Sequence, residues 1–241
     1  MEFSIESLSK ESFLSFLEKD ANIRVDGFLE SAIAVAEEVH EGVFREDGVS
    51  QFLSTHIWPV AKDVTVHYKQ NNKAITTVEI ASAILHDVLE DNDRILNLYE
   101  TRSYGFDAYL RYQFGSRVLN VLHTLKTPAL ESYGKTSDSD AGQERFQDYC
   151  AHLVNADYDV KCIKLFDRLN NMKFIGYIAS TNKKPVVYMK IKRYLLEAED
   201  FYLAYTMLEP RMPNLYKELR YLYEQLRSYY LEQTLSLPQA Q

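Results

Sequence analysis

Between residues 27 and 44, Phe28, Ile33, Val35, Ala36 and Val39 recur at helical spacing among Glu30, Glu37, Glu38 and Glu41, which predicts an amphipathic helix. Asp47-Gly48 signals a turn. Helical spacing resumes over residues 53–68 and stops at the polar loop Gln70-Asn-Asn-Lys73. The segment from Thr76 to Leu89 opens with Thr77 and Glu79 as cap residues and carries the densest apolar run, Ile80-Ala-Ser-Ala-Ile-Leu85, so it is expected to form the central helix. Further helices are predicted over residues 105–126, 143–155, 159–178, 187–208 and 215–233. Two prolines in Glu209-Pro-Arg-Met-Pro213 divide the last two, and the polar stretch 133–140 is the expected mobile loop. This pattern predicts an all-α protein with an N-terminal helical segment over residues 1–26, a core over 27–186 and a C-terminal helical hairpin over 187–241 packed on that core. The tyrosines of the last helix, Tyr216, Tyr221, Tyr223, Tyr229 and Tyr230, are expected to pack on the bundle or on another subunit, and a homodimer is compatible with them.

Composition agrees with long helices, because only 8 Gly and 6 Pro interrupt 241 residues. A formal charge of −8 argues against broad adhesion to DNA, RNA or an anionic membrane, so a phosphorylated ligand would need a local positive site. Cys150 and Cys162 lack metal-ligand spacing and are expected to be reduced core thiols. The opening residues carry no basic segment followed by an apolar stretch, and the cytoplasm is the expected location.

Candidate chemistry concentrates in Leu85-His-Asp-Val-Leu-Glu-Asp91, where His86, Asp87, Glu90 and Asp91 follow directly on the apolar run. On a continuing helix, His86 and Glu90 would share one face and Asp87 and Asp91 another. A solvated helix end is the simple explanation. It is weakened because a carboxylate at the border of the core is costly unless paired, and a bound cation would pair it. Imidazole with carboxylate suits Mn, Fe, Co, Ni or Zn. His56 supplies a second imidazole, and Asp167, within Lys164-Leu-Phe-Asp-Arg-Leu-Asn-Asn-Met172, a second carboxylate flanked by apolar residues.

In this order and spacing the chain resembles the HD-domain metal phosphohydrolases, and among them the hydrolase domains of RelA/SpoT-type proteins and the small alarmone hydrolases. Leu85-His-Asp-Val-Leu-Glu-Asp91 is similar to the family's L-H-D-x-x-E-D, and Lys164 to Met172 to its K-L-A-D-R-L-x-N-M. His40 through Arg45 matches H-x4-R, and Phe114-Gly115 with Val118 matches F-G-x-x-V. The resemblance spans roughly residues 27–178.

The resemblance implies an HD-domain helical bundle in which His56, His86, Asp87 and Asp167 hold one divalent ion, typically Mn2+. It further implies that Glu90 and Asp91 position and activate water, that Arg45 lies against a guanine base and that Asn171 contacts the nucleotide. Lys164 and Arg168 are left between two roles, facing phosphates or pairing with acidic neighbours. His40 is expected to be structural, or to support the ligands without being one. The activity implied is removal of the 3′-pyrophosphate of ppGpp or pppGpp, giving GDP or GTP and pyrophosphate.

The chain departs from the family around the expected nucleotide pocket. The family's P-Y-x-x-H-P is replaced by Phe52-Leu-Ser-Thr-His-Ile57, Glu46 stands where a basic residue usually follows the arginine, and Thr124-Leu-Lys126 replaces V-T-K. These departures keep open hydrolysis of another phosphorylated nucleotide, such as a dNMP, a cyclic nucleotide or NADPH, and a regulator that binds nucleotide without turnover.

Overall fold

The computed structural model describes residues 3–90, 105–128, 139–181 and 185–236. Every regular element among them is helical, and the one strand-like pairing is an isolated antiparallel bridge between Phe44 and Gln51. The fold is all-α, as the residue pattern predicts. None of the described helices is long and apolar enough to cross a membrane. The chain divides into two compact units, Glu6–Phe166 and Asp167–Gln241 together with Met1–Ile5. Residues 6–26 therefore group with 27–166, and 167–186 with the C-terminal helices, whereas the pattern alone placed the divisions at 26/27 and 186/187.

In the first unit, α1 (Lys10–Ser15) runs into a π-helical turn at Phe16–Asp20. Helix α2 (Gly27–His40) is capped by Asp26, whose carboxylate accepts from the N–H groups of Phe28 and Leu29. A π-helical turn at Leu53–Ile57 leads into α3 (Trp58–Gln70), and Trp58 stacks on Phe13 with ring centroids 5.4 Å apart. Helix α4 (Thr77–Ile84) begins with a capping box in which Thr76 Oγ1 accepts from the Val78 N–H and Glu79 Oε2 accepts from the Thr76 N–H. Helices α5 (Gly105–Leu125) and α6 (Ser139–Asn155) follow, and α7 (Tyr158–Thr181) carries the chain across the unit boundary.

Helix α4 is central within this unit, as its composition suggests, because it packs against α2, α3 and α5. Ile80, Ala81, Ala83, Ile84 and Leu85 are all fully buried, so both flanks of the helix are occupied and the segment that follows it is fixed. Helix α5 is broken at Gly115, whose φ of 82° lies where residues with a Cβ are rarely found. A second constraint is ionic: Asp159 accepts from the Tyr68 hydroxyl, from Lys73 Nζ at 3.2 Å and from Arg117 Nη2 at 2.5 Å, tying α3, α5 and the start of α7 together. Burial and this bond push the Tyr68 hydroxyl far above its usual range, so it stays a donor.

In the second unit, α8 (Pro185–Glu197) passes through a π-helical turn at Ala198–Tyr202 into α9 (Leu203–Leu208). Helix α10 (Pro213–Ser236) then returns against α8 and α9, so the expected hairpin forms and the proline pair marks its corner. Its tyrosines divide by face. Tyr229 stacks on Tyr188 and donates to the Ala179 carbonyl at 2.7 Å, Tyr223 donates to Glu199, and Tyr221 is exposed. The Phe3 ring lies 2.5 Å from where a Cβ would stand at Gly176, which explains the missing side chain there. The expected loop at 133–140 falls, up to residue 138, outside the described residues.

Because the Thr76 cap starts the helix that delivers the candidate site, Thr76→Ala is expected to cost about 1 kcal/mol of stability in urea unfolding. A change confined to the noise of the measurement would mean that packing alone sets the start of α4.

Candidate metal centre

The predicted helix from Thr76 to Leu89 ends early, at Ile84, and residues 85–90 form successive turns. A side chain accounts for the stop. In a continuing helix the Ala83 carbonyl would accept from the N–H of Asp87, but here the Nδ1 of His86 lies 2.8 Å from it. A carbonyl only accepts, so His86 carries its proton on Nδ1. The backbone beyond tightens into three-residue bonds, Val88 N–H to Leu85 carbonyl at 3.1 Å and Glu90 N–H to Asp87 carbonyl at 2.9 Å. The i, i+4 pairing of His86 with Glu90, expected from a continuing helix, is thereby replaced; the expected pairing of Asp87 with Asp91 falls outside the described residues.

Fixing the proton on Nδ1 leaves the Nε2 lone pair of neutral His86 directed away from its own backbone. It stands 3.1 Å from His56 Nε2 and 3.2 Å from Asp87 Oδ2, and His56 Nε2 lies 3.0 Å from the same oxygen. These three atoms form a nearly equilateral triangle, and among the described residues they are the group of His, Cys, Asp and Glu side chains able to hold a metal ion. Both imidazoles are buried and Asp87 nearly so.

His56 arrives from the π-helical turn at Leu53–Ile57, a distortion that the spacing of apolar residues did not reveal. Proline chemistry supports it. Pro59 has no N–H for the Thr55 carbonyl four residues earlier, and Arg45 Nη1 donates to that carbonyl at 3.2 Å. The same arginine, buried beside the turn, contributes with burial to lowering the His56 pKa, burial being the larger cause. Burial would also raise Asp87, but at the acid pH where it would titrate, the charge of a protonated His86 and the bonds then donated by both imidazoles outweigh burial and hold the carboxyl well below its usual range.

The donor set fits a divalent ion. Cis donors about 2.1 Å from an octahedral ion stand about 3 Å apart, as these do, and two imidazoles with one carboxylate suit a first-row transition metal. In the metal-free protein a single N–H on His56 Nε2 can serve Asp87 and face the His86 lone pair, so a bound ion would take the place of one proton. His86 also has the carbonyl contact at Nδ1 that commonly orients a ligating histidine.

The remaining predicted residues are placed as follows. Glu90 is exposed, and its Oε1 accepts from the Thr127 N–H just beyond α5. Asp91 lies outside the described residues. Lys164 is buried with its Nζ 5.3 Å from the centroid of the Tyr149 ring. In the second unit, Asp167 is buried on α7 and accepts from Asn171 Nδ2 one turn later, so Asn171 orients that carboxylate. Arg168 is held by Glu197 at 2.8 Å and lies over the rings of Tyr194 and Tyr202, at 4.5 and 5.2 Å. Of the two roles open to Arg168, pairing with an acidic neighbour is the one observed. Cys162 is a buried free thiol and Cys150 a partly exposed one.

Pattern reading gave His40 only a supporting role. It is buried at the end of α2 with its ring 5.0 Å from that of Phe52, which in turn lies 4.8 Å from the His56 ring. Neither ring nitrogen has a hydrogen-bond partner among the described residues. No family model matches this chain, and no curated protein matches it.

Burial lowers the His40 pKa to about 4, with the Asp87 charge opposing and the His86 and His56 charges assisting. Between the unfolded value of about 6.5 and that folded value, the unfolded chain binds a proton that the folded one does not, so stability is lost as pH falls through this window. Protein stripped of divalent ions is expected to lose about 3 kcal/mol from this group between pH 7 and pH 4. Urea titrations of wild type and His40→Phe should differ in pH slope over that range, and parallel curves would show that His40 does not titrate on unfolding.

Proposed function

We propose that the chain is a divalent-metal-dependent phosphohydrolase that removes the 3′-pyrophosphate of a guanosine polyphosphate, ppGpp or pppGpp, giving GDP or GTP and pyrophosphate. The observation that carries the metal part is the triangle of His56 Nε2, His86 Nε2 and Asp87 Oδ2, with edges of 3.0 to 3.2 Å, in which the Ala83 carbonyl fixes the His86 tautomer. The substrate part rests on the resemblance carried by residues 85–91 and 164–172.

A divalent ion at such a site supplies Lewis acidity, polarising a phosphate oxygen and lowering the pKa of a water it binds. Asp87 remains ionised and presents Oδ2 to that charge, while His86 presents Nε2 in the one tautomer able to donate its lone pair. Glu90, at the solvent-facing end of the turns, is the described carboxylate that accepts the proton of the attacking water. Its bond from the Thr127 N–H holds it in place, so the proton acceptor is positioned by backbone from a different helix end. The net reaction adds water across the bond between O3′ and the diphosphate.

Stripped protein titrated with Mn2+ and then offered ppGpp, pppGpp, dNMPs, cyclic nucleotides and NADPH tests this reading. Pyrophosphate with GDP from ppGpp is expected, and Asp87→Ala should abolish both Mn2+ binding and turnover. A fully active Asp87→Ala protein would overturn the metal assignment, and phosphate released from another nucleotide alone would move the specificity to Glu46 and the altered turn before His56.

Glu90→Gln should leave Mn2+ affinity intact and slow turnover by roughly 100-fold or more. Unchanged kcat would remove Glu90 from the chemistry. Asp167→Ala separates the three-donor set from the four-donor set implied by the resemblance, since an unchanged Mn2+ Kd would assign binding to the triangle alone.

A further inference from the structure

His40 is a buried titratable group that the proposed chemistry leaves unused. It closes α2, which packs both on α4, immediately before His86 and Asp87, and on the π-helical turn that carries His56. The helix that His40 closes therefore packs on both elements that lead to the triangle. The residue is 1% exposed, and neither Nδ1 nor Nε2 has a hydrogen-bond partner among the described residues.

A neutral imidazole offers one donor and one acceptor. Leaving both unmet inside a protein carries the full cost of desolvating each, so a leucine or phenylalanine would serve packing better at this position. Contact with Phe52 uses only the ring's apolar body. The two nitrogens call for a small polar partner, and water is the molecule that buried polar groups of this kind ordinarily hold. The charge of Asp87 reaches His40 through the intervening space, so a polar molecule bound there lies in the field of the triangle.

We propose that His40 anchors a buried water beside the His56–His86–Asp87 triangle and is a positioning residue for it, acting on the donor groups through that water without ligating the ion. This rests on the metal reading of the triangle given above. Partners of this outer kind orient first-sphere ligands, and their loss characteristically weakens metal affinity by about 10- to 100-fold.

Two measurements on the full chain test the proposal. The first needs no metal: 15N chemical shifts of the His40 ring in stripped wild type should show one neutral tautomer, with an exchange contact to water, because a held partner selects which nitrogen keeps the proton. A mixture of both tautomers, or a single tautomer bonded to another protein group with no water contact, would overturn it. The second is the Kd for Mn2+ alone in wild type, His40→Phe and His40→Gln.

His40→Phe keeps the ring and its contact with Phe52 and should raise the Kd by about 10- to 100-fold, while His40→Gln, which retains a donor and an acceptor, should recover much of the loss. A His40→Phe protein that binds Mn2+ as tightly as wild type refutes the positioning role and leaves the metal reading standing. Wild type that binds no divalent ion refutes both. If His40→Phe does not fold, the comparison of His40→Gln with wild type and the tautomer measurement still decide, since equal affinity in His40→Gln with mixed tautomers in wild type also overturns the proposal.

Discussion

The bond from His86 Nδ1–H to the Ala83 carbonyl is the interaction on which the candidate site depends. It does two things at once. By occupying the acceptor that a helix would give to Asp87, it ends α4 and turns the backbone, so that His86 and Asp87 face the same point despite being adjacent in sequence. By fixing the proton on Nδ1, it leaves a lone pair at Nε2. The cap at Thr76 and the fully buried run from Ile80 to Leu85 hold the helix that presents this carbonyl, so the precision of the site is inherited from packing in the core.

The electrostatics of the triangle follow from burial. A buried ionised carboxylate is tolerated when charge or hydrogen bonds compensate it, and Asp87 has both imidazoles within 3.2 Å. Two nitrogens facing one another 3.1 Å apart are compatible only if a proton or a cation stands between them or beside them. The resulting preference for a shared positive charge is a local consequence of geometry. It is independent of any substrate.

The all-α fold was legible in the sequence because its signals were redundant: few glycines and prolines, strong periodicity in residues 27–44, and a dense apolar run at 80–85. The corner formed by Pro210 and Pro213 was equally explicit. What escaped was local and set by side chains. Periodicity continues through Leu89, so nothing in the apolar pattern shows that His86 stops the helix at Ile84 by taking a carbonyl. The π-helical turn before Pro59 is hidden for the same reason, since its residues still alternate as a helix would. Residue identity pointed to His56, His86 and Asp87 as candidates, whereas their convergence required knowing which bonds bend the backbone. For Arg168 the sequence offered two partners with equal warrant, and only the position of Glu197, twenty-nine residues later, distinguishes the one it has taken.

Arg45 shows how one residue can meet a structural need and keep a functional one open. Pro59 offers no N–H to the Thr55 carbonyl in the α-helical register, and a guanidinium nitrogen donates to that carbonyl within the turn that carries His56. Lysine would supply charge there, but it would bring a flexible, strongly hydrated ammonium in place of a flat group that can bond along its edge and stack on its face. Loss of Arg45 would consequently act on His56 through that single carbonyl, and, on the function proposed above, could act on nucleotide as well. A defect seen only in substrate KM would point to the ligand-facing role, whereas a defect already present in Mn2+ binding would point to the turn.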